Sequence, residues 1–427
     1  MRALATATRG KGTRGLLKRL RSIAAHYGWS SRKILEGLEH FSEVLQLYGC
    51  SATFPVPAST LARSNGTFDR FREQGIEFAV HGYLHVDHTR LTRQTRMEHL
   101  ELARRLFSEK HIAARGFRAP YLRWNEETME AVQKAGFLYD GSAAVVWDVV
   151  REIESPEYRQ AVAFYGAMHA AHHPSLPRWN DGLVRIPYCL PDDEALVERL
   201  NVSEESMSRI WLEMLRLTYE HGELFTLGLH PERFFACEAA LTATLRHASK
   251  ARPHVWMARL EDIAEWWIAR ARTEIAIRET IDGLLHVSVR GPDGLTVLAR
   301  GVALEAQSLH PWDDRFQVVR GNDFHLPAGR RPFIGVSPSS PPRLVSFLRQ
   351  QGYIVEEAED GHNCTHFLDR DHFEEIDERP LLLQIEQGDF PLVRLGRWPR
   401  GARSALSITG DIDALTLWDY AMRLLKV

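Results

Sequence analysis

The chain has 427 residues, which exceeds one average domain and suits two domains, or one large domain with an insertion. Hydrophobic residues make up 44% and charged residues 26%, as in a soluble globular protein, and a net charge of −3 argues against nucleic acid or anionic lipid as a partner. Four scattered cysteines without a CxxC pair argue against a disulfide framework.

The first 22 residues are basic, but the apolar core of a secretory signal does not follow them. We interpret them as a solvated tail, with a loose contact to a membrane surface as the alternative. The sequence contains no apolar run of the length that a transmembrane helix needs, about 18 residues or more. We therefore expect a cytoplasmic protein without a transmembrane segment.

Up to about residue 270, short apolar runs alternate with segments of helical periodicity. The predicted helices cover residues 30–47, 92–108, 126–135 and 260–270, and the predicted strands cover residues 51–56, 76–80, 114–117, 137–139 and 222–229. This alternation predicts an α/β fold with a parallel sheet, either open or closed into a barrel.

The pattern changes near residue 271. Residues 273–281, 284–290 and 296–302 are rich in β-branched side chains and are separated by Asp-Gly turn pairs, which predicts antiparallel hairpins. Residues 331–356 then resemble one small βαβ unit. We interpret residues 271–403 as an accessory β-rich α+β insert, which divides the chain into a catalytic domain of residues 1–270 plus 404–427 and this insert.

The last segment returns to the earlier pattern. An apolar strand at residues 405–409 is followed by the acidic turn of residues 410–413 and by a helix at residues 417–425. The helical pattern is still continuing at residue 427, which is unusual for a natural boundary.

His81 and His85 follow the strand at residues 76–80. Their i, i+4 spacing places two imidazoles on one face of a helix, where both can reach one metal ion. Two other pairs have the same spacing, His169/His173 and His362/His366, so the spacing alone decides nothing. The position does, because α/β folds place their sites at the carboxyl ends of parallel strands.

Three further candidates follow strands in the same way. Asp411 and Asp413 come after the strand at residues 405–409, and His230 comes after the strand at residues 222–229. Two histidines with one carboxylate are typical of a hydrolytic metal site, and a second carboxylate can serve as general base. The structural alternatives are an N-cap for the last helix at the aspartates and a buried histidine at the end of a strand for His230.

These residues together resemble the polysaccharide deacetylases, carbohydrate esterase family 4. The chain has H-x-x-x-H at residues 81–85, R-A-P-Y at residues 118–121, D-G-S at residues 140–142 and L-H-P at residues 229–231, in the order of that family. The resemblance covers roughly residues 50–270 and the last two dozen residues. It implies an irregular (β/α) barrel of fewer than eight strands.

The resemblance also implies roles for the matched residues. His81 and His85 are expected to be metal ligands, and His230 is expected to be the general acid. In the R-A-P-Y motif, Arg118 orients the base and the main-chain N–H of Tyr121 contacts the oxyanion. The last three assignments are that Leu229 lines the acetyl pocket, that Asp140 tunes the acid histidine, and that the metal is divalent, zinc first, with cobalt, manganese, nickel or iron as alternatives.

The first motif of the family, an Asp pair that normally precedes H-x-x-x-H, is at the other end of this chain, in TGDID at residues 409–413. Mapped onto a spaced D-x-D form, Asp411 is the base and Asp413 the third ligand. The simplest account is a circular permutation that brings both ends of the chain together; a gene model broken across a tandem arrangement would give the same sequence.

Two matches depart from the family. Gly82 stands where the second motif has Ser or Thr, which removes a hydrogen bond that steadies the site. The aromatic residue usually found near Asp140 is out of register, with Trp147 farther along the chain. Trp179, in PRWND, is a candidate for stacking on a sugar ring, with core packing as the alternative.

Two histidine-rich segments are left over. The cluster at residues 362–372 contains three His, a Cys and two Asp, and is either a second metal site in the insert or a solvated turn. His169, His172 and His173 precede Pro174 in a predicted loop, as ligands or as residues of a substrate groove.

The sequence therefore predicts a metal-dependent hydrolase that removes acetyl groups, most simply N-acetyl, from a carbohydrate or glycan intermediate. Two alternatives remain: hydrolysis of a small non-peptide amide on the same barrel, and a catalytically silent glycan-binding protein. The expected partner is the acetylated sugar, and the oligomeric state is left open.

Overall fold

The computed structural model describes residues 29–64, 66–180, 182–304, 309–327 and 329–420. The predicted basic tail and most of the predicted last helix lie outside these residues. The helices are α1 (Arg32–Leu47), α2 (Ala58–Ala62), α3 (Asp69–Glu73), α4 (Arg93–Glu109), α5 (Glu126–Lys134), α6 (Pro156–Tyr165), α7 (Glu204–His221), α8 (Phe234–Lys250), α9 (Leu260–Ala271), α10 (Pro342–Gln350) and α11 (Glu378–Gln387).

The first eleven strands belong to the part of the chain before residue 271. They are β1 (Ala52–Val56), β2 (Glu77–Val80), β3 (Gly116–Phe117), β4 (Tyr139–Asp140), β5 (Ala144–Val146), β6 (Met168–His169), β7 (Arg178–Asn180), β8 (Leu183–Arg185), β9 (Tyr188–Leu190), β10 (Leu224–Gly228) and β11 (Val255–Met257).

The remaining strands follow residue 271. They are β12 (Glu274–Glu279), β13 (Leu284–Arg290), β14 (Val297–Arg300), β15 (Leu309–Pro311), β16 (Gln317–Val319), β17 (Asp323–Pro327), β18 (Arg331–Val336), β19 (Val355–Glu357), β20 (Cys364–Leu368), β21 (Leu392–Leu395) and β22 (Ser404–Thr409).

The main sheet has the order β10-β22-β1-β2-β3-β4-β8-β7, and β11 pairs with the first half of β22. All its pairs are parallel except β7–β8. β9, from a second small sheet, lies beside β10, where the Cys189 thiol of β9 donates to the Leu224 carbonyl of β10 at 3.7 Å. The curled, partly closed sheet with surrounding helices confirms the predicted irregular (β/α) barrel.

The elements follow from apolar spacing. In α1 the buried positions Ile34, Leu38, Phe41 and Leu45 recur at helical intervals and form one apolar face. Every residue of β22 is buried, as expected for a strand covered on both faces within a parallel sheet.

The described residues of the insert form three small sheets. The predicted hairpin between β12 and β13 forms with Glu279 opposite Leu285, and the βαβ unit of β18, α10 and β19 is parallel. The prediction of a second hairpin, between β13 and β14, is wrong. Instead, β13 pairs with β17, and β14 pairs with β16 and β21. The division of the chain into two domains stays a prediction, because one hydrophobic cluster joins Trp267 of α9 to Trp398 and Leu344.

Within the described residues, each helix is too short or too polar to cross a bilayer.

Candidate active site

The candidate site lies at the carboxyl edge of the main sheet, where β22 is inserted between β10 and β1. The residues that follow β2, β3, β10 and β22 meet there, because parallel strands end at the same edge of a sheet. His81 follows β2, Arg118 follows β3, His230 follows β10, and Asp411 and Asp413 follow β22. The predicted meeting of the two chain regions is therefore observed.

Three potential ligands converge at the centre of the site. Nε2 of His85 lies 3.2 Å from Oδ1 of Asp413, and Nε2 of His81 lies 3.6 Å from the same oxygen. One ligand atom from each of the three residues lies within 4.8 Å of the others, and within the described part of the chain this is the sole such trio of His, Cys, Asp or Glu. The arrangement suits one divalent cation.

The tautomer of His81 is set by a main-chain contact. Its Nδ1 donates to the carbonyl of Arg118 at 2.9 Å, which leaves Nε2 with a lone pair facing the two aspartates. This Nε2 is buried and has no hydrogen-bond partner. Burial lowers the pKa of His81, and the negative charges of Asp411 and Asp413 oppose that effect only in part. A neutral imidazole with an orphaned buried nitrogen fits a metal ligand.

The i, i+4 spacing predicted that one helical face carries both imidazoles. The structure shows no helix there. Residues 81–87 form an irregular loop, in which the rings of His81 and His85 approach to 5.0 Å between centroids. Gly82 makes this loop possible, with φ of +76°. A Cβ at this position would lie 2.9 Å from the Leu84 carbonyl oxygen and 3.0 Å from Nε2 of His88, so the departure from Ser or Thr has a steric cause.

Asp411 lies between an arginine and a histidine. Its Oδ1 accepts from Nη1 of Arg118 at 2.9 Å, and its Oδ2 lies 3.4 Å from Nε2 of His81. Arg118 is buried, and its Nε also donates to the Gly141 carbonyl at 3.0 Å while its guanidinium covers the Tyr188 ring. The arginine is thereby fixed in place, and it holds the Asp411 carboxylate in one orientation.

The acidic turn is attached on both sides. The Leu229 N–H donates to the Thr409 carbonyl at 2.7 Å, and the Ile412 N–H donates to the Pro55 carbonyl at 2.9 Å. Gly410 is required between them, since a Cβ there would lie 1.9 Å from the Leu229 carbonyl oxygen. The buried Ile412 side chain anchors the turn, with an aspartate on each side of it.

Tyr121 has a left-handed backbone conformation, with φ of 61° and ψ of 14°. A bulky residue in this region stores strain of roughly 1–3 kcal/mol, and such strain is concentrated at functional sites. The Tyr121 ring packs edge-on against His85, with centroids 4.4 Å apart. The residue therefore lies beside the candidate ligand His85, and the predicted contact of its main-chain N–H with an oxyanion stays a prediction.

His230 is held by a carboxylate that the sequence reading missed. Its ring Nδ1 donates to Oδ1 of Asp193 at 2.7 Å, and its main-chain N–H donates to Oδ2 of the same residue at 2.8 Å. Burial by itself would lower the pKa of His230, but the fully buried Asp193 carboxylate outweighs it and raises that pKa well above the usual value. The protonated imidazolium is the form that can donate a proton.

The assignment of Asp140 as the residue that tunes His230 is corrected by this geometry. Asp140 ends β4 and accepts a hydrogen bond from the Ser142 hydroxyl, and Ser142 in turn accepts from the Ala119 N–H at 2.8 Å. The carboxylate therefore supports the loop of the R-A-P-Y motif rather than the histidine. Asp193 follows β9, so a strand assignment at residues 188–190 would have revealed it by the same strand-then-carboxylate rule.

Leu229 and Trp179 are in different places. Leu229 is fully buried between β10 and His230, next to the acidic turn. Trp179 is on β7 and contacts the insert: its main-chain N–H donates to the Gln350 side chain at 2.9 Å, and the Arg272 guanidinium lies 5.7 Å from its ring. Trp179 is half-buried and packs against the hydrophobic cluster that contains Trp267 and Trp398, and its role in sugar stacking stays a prediction.

The other histidine-rich segments do not assemble into ligand clusters within the described residues. His362 is exposed and pairs with Asp360, whereas His366 stacks on Phe390 at 4.3 Å. His169 and His172 approach each other to 6.4 Å between ring centroids, and His173 faces Glu375.

Comparison with known proteins agrees with the motifs. The polysaccharide deacetylase family profile matches residues 32–139. A curated relative, the peptidoglycan deacetylase-like protein FGM2 of Gibberella zeae, is 38% identical over 74 residues, which cover 16% of this chain. The match spans about a fifth of that relative, 21% of its length.

Solved structures resemble about half of the chain. A protein of Mycobacterium smegmatis described as a polysaccharide deacetylase is 23% identical, with 54% of this chain and 76% of that chain covered and a TM-score of 0.42. PuuE allantoinase is 20% identical, with 55% and 72% covered and a TM-score of 0.44.

The profile match ends at Tyr139, and the remaining family motifs follow it in order, with the L-H-P motif and the displaced acidic turn joined at one sheet edge. Residues 32–139 therefore match the polysaccharide deacetylase domain, and the motifs assigned to that family from the sequence lie together at the same edge of the sheet.

Proposed function

We propose that this protein is a metal-dependent hydrolase that removes acetyl groups, specifically N-acetyl groups, from a carbohydrate or glycan intermediate. One observation carries the proposal: the trio of His81, His85 and Asp413 lies beside a second carboxylate, Asp411, which an arginine holds. The same edge of the sheet presents His230, a raised-pKa histidine. A base, an acid and a cation-binding trio together are what amide hydrolysis requires.

The donor set supports zinc as the cation. Two imidazole nitrogens and one carboxylate oxygen are ligands that zinc accepts, and they leave positions for other groups. Cobalt, manganese, nickel and iron accept the same donors. When bound, the cation would supply Lewis-acid polarisation of the acetyl carbonyl.

Asp411 is placed to act as general base. Its side chain is 16% exposed, so a water molecule can reach it, while Arg118 fixes one of its oxygens at 2.9 Å. The arginine leaves the second oxygen to accept the proton of the attacking water. Asp411 therefore takes the proton and Arg118 serves as a positioning residue.

His230 is placed to act as general acid. Asp193 keeps the imidazole protonated through Nδ1, so that Nε2 carries the proton to be given to the departing amine. The main-chain N–H of Tyr121 would contact the developing oxyanion, and Leu229 would line the acetyl pocket. These last two roles come from the family resemblance.

A circular permutation remains the proposed explanation for the acidic motif at the far end of the chain. β22 lies between β10 and β1, although it is far from β1 in sequence. The Thr409 hydroxyl of β22 donates to the Thr53 carbonyl of β1, and these two residues are 356 positions apart. The cytoplasmic location stays a prediction from the sequence.

The test measures metal content and acetate release with the same preparation. We expect about one zinc per chain and release of acetate from acetylated chito-oligosaccharides. Asp411→Asn and His230→Ala should each lower kcat by about 100-fold or more, whereas His362→Ala, a histidine outside the site, should change neither metal content nor rate.

Three outcomes would contradict the proposal. Full activity of both Asp411→Asn and His230→Ala would remove the mechanism. Sugar affinity without turnover in the metal-loaded protein would support the silent glycan-binding alternative. Turnover of small linear or cyclic amides without acetate release from glycans would support the alternative of a small-amide hydrolase.

A further inference from the structure

A partly open cavity of about 190 Å³ lies between the start of β10 and the insert. Gly222 and Glu223, which precede β10, form one wall, and Trp312, Phe316 and Glu386 of the insert are on the others. The volume corresponds to about six water molecules at roughly 30 Å³ each. His230 follows the opposite end of β10, so five residues of extended strand, about 17 Å, separate the cavity from the candidate active site.

Five arginines and four carboxylates line this cavity: Arg315, Arg379, Arg394, Arg397 and Arg403, with Glu220, Glu223, Asp313 and Glu386. Arg403 is paired with Asp313 at 2.7 Å and Arg315 with Asp389 at 3.0 Å, so the balance depends on the other three arginines. These three, Arg379, Arg394 and Arg397, are each 4% exposed. Buried charges are normally paired, so the carboxylates at the wall decide whether this set is neutral.

The carboxylates are too few for the buried arginines. Arg379 is paired with Glu223 at 2.7 Å, but Arg394 and Arg397 share one carboxylate, Glu386, at 3.5 and 3.1 Å. Arg270 is buried behind this pair, and its guanidinium stacks on a tryptophan rather than on an acid. Two buried guanidinium groups thus share one carboxylate, and the third, Arg270, lies next to them without an acidic partner.

Two further observations show that this crowding is unrelieved. The Nε–H groups of Arg379 and Arg397, two arginines of the cavity wall, are buried without a hydrogen-bond partner. Burial, followed by the like charges of Arg397 and Arg394, lowers the pKa of Arg270 to about 9. Each unsatisfied buried donor is destabilising, and an anion in the cavity would satisfy donors and charge together.

We propose that this cavity is a binding site for a small oxyanion of the phosphate class. Phosphate presents several oxygens to guanidinium groups, which bind it through paired N–H donors, and an apolar or neutral ligand would leave the charge excess in place. The site joins α11 and β21 of the insert to the start of β10. Its ligand is either inorganic phosphate or the phosphoryl group of a phosphomonoester.

The test is isothermal titration of the full chain with inorganic phosphate at constant ionic strength, with glycerol phosphate in a second arm. We expect saturable binding of one phosphate per chain. If inorganic phosphate and glycerol phosphate bind with equal affinity, the site accepts phosphomonoesters. If glycerol phosphate gives no heat of binding, inorganic phosphate is the ligand.

Two variants and one control distinguish a site from a structural ion-pair network. Arg315→Gln removes the 36%-exposed arginine of the wall and should weaken phosphate binding by tenfold or more without unfolding the chain. Glu386→Gln removes the carboxylate that competes with the ligand and should tighten binding. Arg278→Gln, an exposed arginine of β12 away from the cavity, should bind as the parent chain does.

The proposal is overturned if the parent chain shows no saturable heat with phosphate. It is equally overturned if Arg315→Gln binds as tightly as the parent chain, or if Glu386→Gln folds and binds no more tightly. In those cases the arginines form a network completed by water alone.

Discussion

Replacing Asp193 with Asn tests the assignment of His230 as the acid. Asp193 accepts two hydrogen bonds from His230, from ring Nδ1 at 2.7 Å and from the main-chain N–H at 2.8 Å, and it is fully buried. A hydrogen bond to a charged group contributes about 1.5–3 kcal/mol. Since one pKa unit corresponds to about 1.36 kcal/mol, Asp193→Asn should lower the pKa of His230 by about one to two units.

The assay is the pH dependence of deacetylation, together with a histidine NMR titration assigned with His230→Ala. His230 must be protonated to act, so the alkaline limb of the rate profile should move to lower pH in Asp193→Asn by the same one to two units. Asp140→Asn is the matched control. It should lower the rate by disturbing the loop through Ser142, but it should leave the alkaline limb where it is.

The same substitution changes the pH dependence of stability. The folded-state pKa of His230 is raised, so its contribution to stability is fully present below the unfolded value of about 6.5 and is lost as pH rises through the folded-state pKa. Asp193→Asn should flatten the unfolding free energy above pH 6.5. The reasoning is refuted if the alkaline limb of Asp193→Asn coincides with that of the parent chain, or if Asp140→Asn shifts it instead.

Three other outcomes follow from the site. Asp413→Ala should reduce the affinity for zinc by more than about 100-fold, because it removes one of the three candidate ligands. A residue that only supports a ligand typically changes the affinity by about 10–100-fold. Metal analysis after dialysis measures the loss, and His362→Ala should retain the metal. Gly410→Ala should destabilise the fold by about 1–3 kcal/mol or more in chemical denaturation, because its Cβ meets a main-chain carbonyl at 1.9 Å, and Gly329→Ala, with open space around it, should be neutral. Arg118→Lys should lower kcat by about 10–100-fold with KM nearly unchanged, because a lysine cannot hold both the base and a main-chain carbonyl; a change in KM alone would contradict this.

The convergence of Asp411 and Asp413 with His81 and His85 was predictable from the sequence. Each residue follows an apolar strand, and parallel strands bring such positions to one edge of a sheet. The order of the motifs distinguished His81 and His85 from the two other histidine pairs with the same spacing. No knowledge of the strand order was needed, although β22 turned out to pair with β10 and β1.

Asp193 and the conformation of the H-x-x-x-H segment were not predictable in the same way. β9, which delivers Asp193, has three residues, too few for a periodic signal. The i, i+4 spacing of His81 and His85 is equally compatible with a loop, and only the positive φ at Gly82 decides between loop and helix. Trp179 was ambiguous because one aromatic residue on a short strand suits a groove and an interface alike.

The central position of β22 has a consequence for how the nascent chain folds. This strand is the last that the structure describes, yet it has parallel neighbours on both sides, and the contact between Arg118 and Asp411 spans 293 residues. During synthesis, β1 and β10 emerge long before β22, the strand that lies between them. Until β22 is synthesised, the backbone N–H and C=O groups on the facing edges of β1 and β10 have no strand to pair with. Such long loop closures slow folding and prolong the exposure of unpaired strand edges. A ribosome-bound chain stopped before residue 404 should therefore remain a substrate for chaperones and be unable to retain zinc.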